Sequence, residues 1–239
     1  MALLNINNLK TLVAIGELDK GKRFICQATG FLIGFIAHNS KDPVKRSYNL
    51  FLVTNRHVFE DKEGVYLRFN KISGGAEIFA QSLFFTDKEP RWLAHKNKSV
   101  DIALLNVNPQ VLQQHQVDFA IFIEEMFVYY RNFRKIGIDA GDEVYILGFP
   151  MGIAGELQNY PYVKYGIISR MDKEIMKDKR AYLIDSSIFP GNSGSPVVLK
   201  PTITFLTGTS AVSQIYLLGV VSQYLPYEER LYTHQTNPP

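Results

Sequence analysis

The stretch FPGNSGSPVV, residues 189–198, sets two serines among turn-forming residues, between one hydrophobic segment and the next. Proline presets the backbone angle of a turn, glycine adopts angles that other residues avoid, and asparagine tolerates them. Such a dense run predicts a tight turn between two strands. If one of its serines is a nucleophile, a base and a group that orients the base must come from other parts of the chain.

Candidates for both groups stand upstream. His57 ends the apolar segment LVTNRHV (52–58), and Asp101 opens another in VDIALLNV (100–107). Each residue alone has a simpler explanation, as a strand-end histidine, a turn carboxylate or a serine in a glycine-rich turn. Their joint occurrence in the order His57, Asp101, Ser193 favours a catalytic triad.

The sequence around these residues resembles the chymotrypsin-like serine proteases, and among them the cysteine-poor bacterial HtrA-like branch, here without a PDZ domain. TNRHV (54–58) is similar to the T-N-x-H-V segment of that branch, and DIALL (101–105) to its D-[IL]-A-[VL]-L segment. DSSIFPGNSGSPVV (185–198) is similar to its D-A-x-I-x-x-G-N-S-G-G-P run. DEVYILGFPMG and LGVVSQY also match segments of the branch, so the resemblance covers roughly residues 25–225.

This resemblance implies a role for each residue. In the pattern G-[DN]-S-G the nucleophile is the serine after Asp or Asn, which here is Ser193, whereas Ser195 is expected to be a small structural residue. His57 would accept the Ser193 proton, and Asp101 would hold the imidazole in the required tautomer. The amides of Gly191 and Ser193 would form the oxyanion hole. No metal or other cofactor is expected.

By the same resemblance, the specificity pocket would lie near Ser187, with Ser222, Gln223 and Tyr224 on its wall. The backbone of Ser222 and Tyr224 would pair with an extended substrate as an added strand. Because Ser187 is uncharged, it argues against a preference for Arg or Lys before the scissile bond, at the P1 position of the substrate. The expectation is a small or medium, uncharged P1 residue.

Short runs rich in Val, Ile, Leu, Phe, Tyr and Thr recur along the chain, separated by turn segments such as DKEG, SGG and IDAGD. This pattern and the resemblance predict an all-β fold of two antiparallel six-stranded β-barrels, with short helices in the connections. Residues 1–15 are predicted to form a short helix or an extended arm, and 202–216 a loop or hairpin. The predicted divisions of a single protease domain over 1–239 are a first barrel at 16–110, a connection at 111–136 and a second barrel at 137–239.

The composition argues against several other classes. The chain has 239 residues, 46% of them hydrophobic, and a net charge of +3 without a long basic run, so nucleic-acid binding is not indicated. No apolar stretch reaches the length of a membrane span. The five histidines lie far apart and Cys26 is the single cysteine, so neither zinc binding nor an internal disulfide is expected. Because no signal-peptide features are present either, a cytoplasmic location is predicted.

The predicted function is that of a serine endopeptidase that hydrolyses a polypeptide substrate through an acyl-enzyme intermediate. Two alternatives stay open: a catalytically silent scaffold or binding module with a protease fold, and a latent effector domain of a larger regulatory protein. The chain stops soon after LGVVSQY, whereas proteases of the family continue. The sequence is therefore expected to be a fragment with further C-terminal domains, or to have a regulatory partner.

Overall fold

A computed structural model describes residues 4–40, 42, 46–178, 180–201 and 215–223 of the chain. Within them the α-helices are α1 (Pro109–Gln114) and α2 (Lys173–Asp178), and short 3₁₀ turns occupy several connections. The strands are β1 (Leu12–Leu18), β2 (Phe24–His38), β3 (Ser47–Thr54), β4 (Gly64–Asn70), β5 (Ala76–Ser82), β6 (Trp92–Ala94), β7 (Ala103–Val107), β8 (Phe122–Ile123), β9 (Glu143–Gly148), β10 (Tyr162–Arg170), β11 (Leu183–Asp185), β12 (Pro196–Leu199) and β13 (Leu217–Val220).

The first sheet has the strand order β5-β4-β1-β2-β3-β7-β6, and neighbours along this path are antiparallel. The 15-residue strand β2 is its centre. Residues 24–31 of β2 pair with β1, and residues 31–38 pair with β3. This arrangement leaves one edge of the second half of β2 open, and β8 fills it by pairing in parallel, with Ile33 opposite Phe122.

The second sheet has the order β11-β10-β9-β12-β13 and is antiparallel throughout. The predicted all-β fold with two antiparallel units is therefore confirmed. The strand numbers differ from six in each unit. The first sheet has eight strands, because β8 joins it from the connection, and the second has five within the described residues. The predicted loop or hairpin at 202–216 falls mostly outside the described residues.

The short helix predicted within residues 1–15 is present over part of that range, and an unpredicted strand follows it. A 3₁₀ helix covers Ile6–Thr11, and β1 follows directly, between β2 and β4. Its run LVAI (12–15) is buried and shows no alternation with polar residues. The reason is that alternate residues of this run enter two different hydrophobic clusters. A strand covered on both faces has a continuous apolar sequence.

The described residues pack into three hydrophobic clusters. Leu32 belongs to the cluster inside the first sheet, and Ile146 belongs to the cluster inside the second. The third cluster contains Phe31 from the first sheet together with Phe149 and Val198 from the second. The two sheets therefore share a buried interface, which holds the residues after β9 and those of β12 against β2.

A buried arginine ties the loop between β9 and β10 to the first sheet. Arg68 of β4, which is 5% exposed, donates hydrogen bonds of 2.7 Å to the carbonyls of Gly155 and Glu156. The side-chain amide of Asn159 donates to the carbonyl of Arg68 at 2.7 Å, and the backbone amide of Asn159 donates to Asn70 Oδ1 at 2.7 Å. This loop is consequently positioned by β4. No α-helix in the described part of the chain is long and apolar enough to cross a membrane.

Candidate active site

The pairing of β3 with β7 brings His57 to Asp101. Strand β3 ends at Thr54, which lies opposite Ala103 at the start of β7. The chain then turns into a 3₁₀ helix at Arg56–Val58, which carries His57, while Asp101 stands just before β7. Two residues that are distant in sequence are therefore neighbours at one end of the first sheet.

Asp101 contacts His57 through both of its carboxylate oxygens. His57 Nδ1 lies 2.6 Å from Asp101 Oδ2, and the backbone amide of His57 donates to Asp101 Oδ1 at 3.1 Å. The side-chain amide of Asn55 donates to the Asp101 carbonyl at 2.8 Å. A carboxylate at Nδ1 favours the tautomer whose proton is on that nitrogen, which leaves the Nε2 lone pair free to accept a proton. The His57 side chain is 49% exposed, so Nε2 can be approached from solvent.

The serine turn has the geometry that its sequence predicts. The amide of Asn192 donates to the Phe189 carbonyl at 3.1 Å, and Gly191 has φ 92°. With Pro190 before that glycine, this is the pattern of a type II turn, in which the third residue needs a positive φ. Ser193 follows the turn directly and is half-buried.

Thr29 of β2 fixes this turn against the first sheet. Its backbone amide donates to the Ser193 carbonyl at 2.9 Å, and its hydroxyl donates to the Gly191 carbonyl at 2.8 Å. The hydroxyl of Thr54, the last residue of β3, donates in turn to the Thr29 carbonyl at 2.8 Å. Since His57 follows Thr54 closely in the chain, these bonds place the serine turn beside the strand end that leads to the histidine.

The two serines differ in accessibility. Ser195 is 0% exposed, and a Cβ on Gly148 would lie only 2.1 Å from its hydroxyl oxygen. Ser193 retains partial access to solvent. Within the described residues, no hydrogen bond joins the Ser193 hydroxyl to the His57 ring. In this structure His57 is therefore bound to Asp101, and the turn that carries Ser193 lies nearby. The hydrogen bond between the Ser193 hydroxyl and the His57 ring is not formed.

The peptide between Pro190 and Gly191 is held in a fixed orientation. The amide of Met151, in the turn after β9, donates to the Pro190 carbonyl at 2.6 Å. Because a trans peptide is planar with its C=O and N–H on opposite sides, this bond turns the Gly191 N–H away from Met151. Neither the Gly191 amide nor the Ser193 amide donates to a backbone carbonyl within the described residues. Both amides are therefore free to bind an oxyanion.

Thr29 and Met151 were missed by the sequence analysis. Thr29 is a polar residue inside a long apolar strand, and no local pattern distinguishes it from any other buried threonine. Met151 lies in the segment GFPMG (148–152), which the resemblance included without giving it a function. Its φ of 56° shows that the segment is a tight turn, and this could not be read from a methionine.

The residues predicted for the specificity pocket flank the serine turn. Ser187 is exposed and precedes the turn, while Ser222 and Gln223 follow β13. Their neighbour Val221 is bound to the far end of the turn, since its carbonyl accepts from Gly194 at 3.0 Å and its amide donates to Ser195 at 2.9 Å. Tyr224 lies outside the described residues, so its predicted place on the pocket wall remains a prediction.

Other reactive side chains lie apart from this site. In the described part of the chain, no group of three or more His, Cys, Asp or Glu residues is placed to hold a metal ion. Cys26 is buried, and burial raises the pKa of its thiol to about 12. A thiol with so high a pKa is a poor nucleophile near neutral pH. His115 lies 3.0 Å from Glu77 Oε1 on the side of the first sheet formed by β5.

Comparison with known proteins agrees with this geometry. Residues 28–201 match the trypsin-like peptidase domain. Because the match spans most of the chain, the protein belongs to the family of trypsin-like peptidases. The family predicted from the motifs around His57, Asp101 and Ser193 is thereby confirmed. No curated protein sequence matches the chain.

Several solved protease structures are similar to the chain at low sequence identity. The apo MamO protease domain from Magnetospirillum magneticum is 14% identical, with 82% of each chain covered and a TM-score of 0.46. An inactive mutant form of Rv3671c from M. tuberculosis H37Rv is 17% identical, covering 80% of this chain and 72% of that chain, with a TM-score of 0.40. The HtrA-type protease AlgW with a decapeptide is 16% identical, covering 95% of this chain and 60% of that chain, with a TM-score of 0.46.

Proposed function

We propose that the protein is a serine endopeptidase in which Ser193 is the nucleophile, His57 the general base and Asp101 the group that orients the base. The observation that carries the proposal is the contact of 2.6 Å between His57 Nδ1 and Asp101 Oδ2, beside a turn that presents Ser193. A carboxylate placed in this way supports the imidazolium that forms when the base takes up a proton. A peptide bond of a polypeptide is the substrate expected for a trypsin-like peptidase domain.

In the proposed reaction, the Ser193 oxygen attacks the carbonyl carbon of the scissile peptide bond while its proton passes to His57 Nε2. The amides of Gly191 and Ser193 stabilise the oxyanion of the tetrahedral intermediate. The imidazolium then gives its proton to the departing amine, which leaves an acyl ester on Ser193. Water adds to this ester with His57 again as base, and the carboxylic acid product leaves.

The fixed orientation of the peptide between Pro190 and Gly191 supports this mechanism. An oxyanion hole contributes most when its donors point at the reacting oxygen before the reaction begins. Here the bonds from Met151 to Pro190 and from Thr29 to Gly191 set the turn. We therefore propose that the hole is assembled in the folded chain as it stands.

Labelling with a fluorophosphonate tests the proposal, because such a probe reacts with activated serines. The wild-type protein should be labelled, Ser193→Ala should lose the label, and Ser195→Ala should keep it because Ser195 is 0% exposed. His57→Ala should also lose the label while remaining folded by circular dichroism. Labelling of Ser193→Ala at the wild-type level would rule out the assigned nucleophile.

A second candidate is a latent protease domain or a silent scaffold with the same fold. It is favoured by the lack of a hydrogen bond between the Ser193 hydroxyl and the His57 ring within the described residues. Such bonds are often long in free enzymes and tighten when substrate binds, so the observation does not exclude catalysis. A folded wild-type protein that fails to react with the probe would favour the latent or silent state.

A further inference from the structure

A lysine that has no carboxylate partner among the described residues stands next to the segment that leads into the serine turn. The ammonium of Lys164, on β10, donates a hydrogen bond to the Ser187 carbonyl and lies 4.0 Å from the centre of the Phe189 ring. The Lys164 side chain is half-buried, whereas Ser187 and Phe189 are exposed. A positive charge is thus placed at the edge of the segment in which the sequence predicts the specificity pocket.

The backbone fixes the position of this lysine. Strand β11 pairs with β10, with Asp185 opposite Ile167, and the Ser186 hydroxyl donates to the Tyr165 carbonyl at 2.8 Å. The chain at 185–187 therefore runs alongside β10 in the opposite direction. Continuing this register places Tyr165 opposite Ser187, and Lys164 is the next residue along β10. Strand pairing therefore brings the backbone of Lys164 close to residues 187 and 188.

Lys164 differs from the other partly buried lysines because its recorded partners are uncharged. Burial of the ammonium lowers the pKa of Lys164, and among the described residues no charge offsets that effect. Removing a cation from water is unfavourable unless an anion compensates it. Lysines that do pair with a carboxylate are Lys10 with Asp118, Lys62 with Glu17, Lys71 with Glu77 and Lys200 with Glu143.

The position of the Lys164 ammonium relative to a bound substrate follows from the two segments that flank Ser193. Residues 187–189 precede the serine turn in the chain, and Val221 forms backbone hydrogen bonds with the residues at the end of the turn. By the resemblance to the chymotrypsin-like proteases, an extended substrate that adds as a strand beside residues 221–223 would direct its P1 side chain between these two segments. A P1 side chain long enough to reach the Ser187 carbonyl then meets the Lys164 ammonium.

We propose that Lys164 is a specificity-determining residue that selects an acidic P1 side chain, glutamate or aspartate. This inference rests on the proposed function, since it concerns the substrate of the same site. It differs from the expectation of a small or medium, uncharged P1 residue, which did not take Lys164 into account. The carboxylate of the substrate supplies the anion that the Lys164 ammonium lacks, and the charge-assisted hydrogen bond that results is stronger than one between neutral groups.

The first experiment compares peptides that differ only in Glu or Gln at P1, because the two side chains have the same shape and differ in charge. Wild-type kcat/KM should favour Glu by about tenfold or more, as expected for a partly buried ion pair. Lys164→Met should remove this preference, so that kcat/KM becomes equal for the Glu and Gln peptides. Lys164→Glu should reverse the charge and favour Lys at P1. Lys20→Met, at an exposed turn, is the matched control and should keep the wild-type preference.

A second readout does not need catalysis. In the Ser193→Ala variant, the affinity of amidated peptides that end in Glu or Gln can be measured by calorimetry, with and without Lys164→Met. Binding that favours Glu only when Lys164 is present supports the inference even if the probe fails to label Ser193, in which case the proposed function alone is wrong. Equal affinity and equal kcat/KM for Glu and Gln in a protein that the probe does label would overturn the inference and leave the function intact.

Discussion

The backbone amide of Met151 donates a hydrogen bond of 2.6 Å to the carbonyl of Pro190, and this bond sets the direction of the next amide along the chain. Met151 lies in the turn after β9, which belongs to the second sheet, and the same loop is held at Gly155 and Glu156 by Arg68 of the first sheet. The orientation of the Gly191 amide is therefore connected, through one loop, to a buried arginine in the other sheet.

This connection suggests how two sheets keep the candidate site between them rigid. His57 and Asp101 come from the first sheet, whereas Gly191 and Ser193 come from the second. Hydrogen bonds that cross the interface have to fix these parts relative to one another, because catalysis requires positions accurate to well under 1 Å. Thr29 and Arg68 supply such bonds from the first sheet, so changes at either residue should affect the site without touching its reactive atoms.

Removing the Thr29 hydroxyl should weaken both the fold and the site. Thr29→Val leaves the Gly191 carbonyl without its donor and the Phe149 amide without its acceptor, which are now bound at 2.8 and 3.0 Å. A buried polar group left unpaired costs about 1–3 kcal/mol, so the midpoint of urea unfolding should fall and probe labelling should slow. Thr29→Ser retains the hydroxyl and should stay much closer to wild type. Equal behaviour of the two variants would contradict the role given to the hydroxyl.

A single methyl group on Gly194 should disrupt the serine turn. Its φ is 82°, and a Cβ there would lie 2.1 Å from the Thr29 carbonyl oxygen and 2.3 Å from Thr54 Oγ1. Gly194→Ala must therefore push the turn away from β2, and we expect labelling to be lost. Gly74 is the matched control, since its φ is 86° but no atom lies within 4 Å of the added carbon. Gly74→Ala should cost only the backbone strain of about 1 kcal/mol and leave labelling unchanged.

Replacing Arg68 should show how far the loop depends on the first sheet. Arg68→Met fills similar space but leaves the carbonyls of Gly155 and Glu156 without donors, so a loss of about 2–4 kcal/mol in the free energy of unfolding is expected. Arg23→Met removes an ion pair to Asp19 from a side chain that is 83% exposed, and should lower the free energy of unfolding much less, because solvent screens the pair. Chemical denaturation measures the free energy of unfolding of both variants. Similar decreases would mean that the buried hydrogen bonds of Arg68 contribute little to stability.

The stability contributed by Glu77 should depend on pH. Hydrogen bonds from His115 and then Lys71 lower the pKa of Glu77 below its ordinary value of 4.5. A carboxyl whose pKa is lower in the folded state stabilises the fold above the unfolded-state pKa and loses this contribution as the pH falls through the folded-state pKa. The difference in unfolding midpoint between wild type and Glu77→Gln should therefore be present at pH 7 and should decrease as the pH falls below the ordinary glutamate pKa toward the lower folded-state pKa of Glu77. Glu63→Gln, at an exposed turn, controls for removal of a surface carboxylate, and a difference that stays constant from pH 7 to acid pH would be inconsistent with the ion pairs as its source.

The sequence by itself determined the class of fold, the family and the residue types of the candidate triad. Turn chemistry and short apolar runs are local signals, so most of the strands from β2 onward and the glycine-rich turn before Ser193 could be predicted from them. The LVAI run of β1 was not predicted as a strand, because a strand buried on both faces has no alternation to mark it. The short strands β6 and β8 were also missed, because each has too few residues for a pattern.

The tertiary structure decided the relations between residues that are far apart in the chain. Because Thr54 pairs with Ala103, His57 lies next to Asp101. Because the second sheet packs on β2, Thr29 lies within hydrogen-bond distance of Ser193. The contact of Lys164 with the Ser187 carbonyl arises in the same way, from the register of β10 against the chain that follows β11. The physical reason is that a hydrogen bond between distant segments depends on how whole sheets pair and pack, and no local pattern of residues records that outcome.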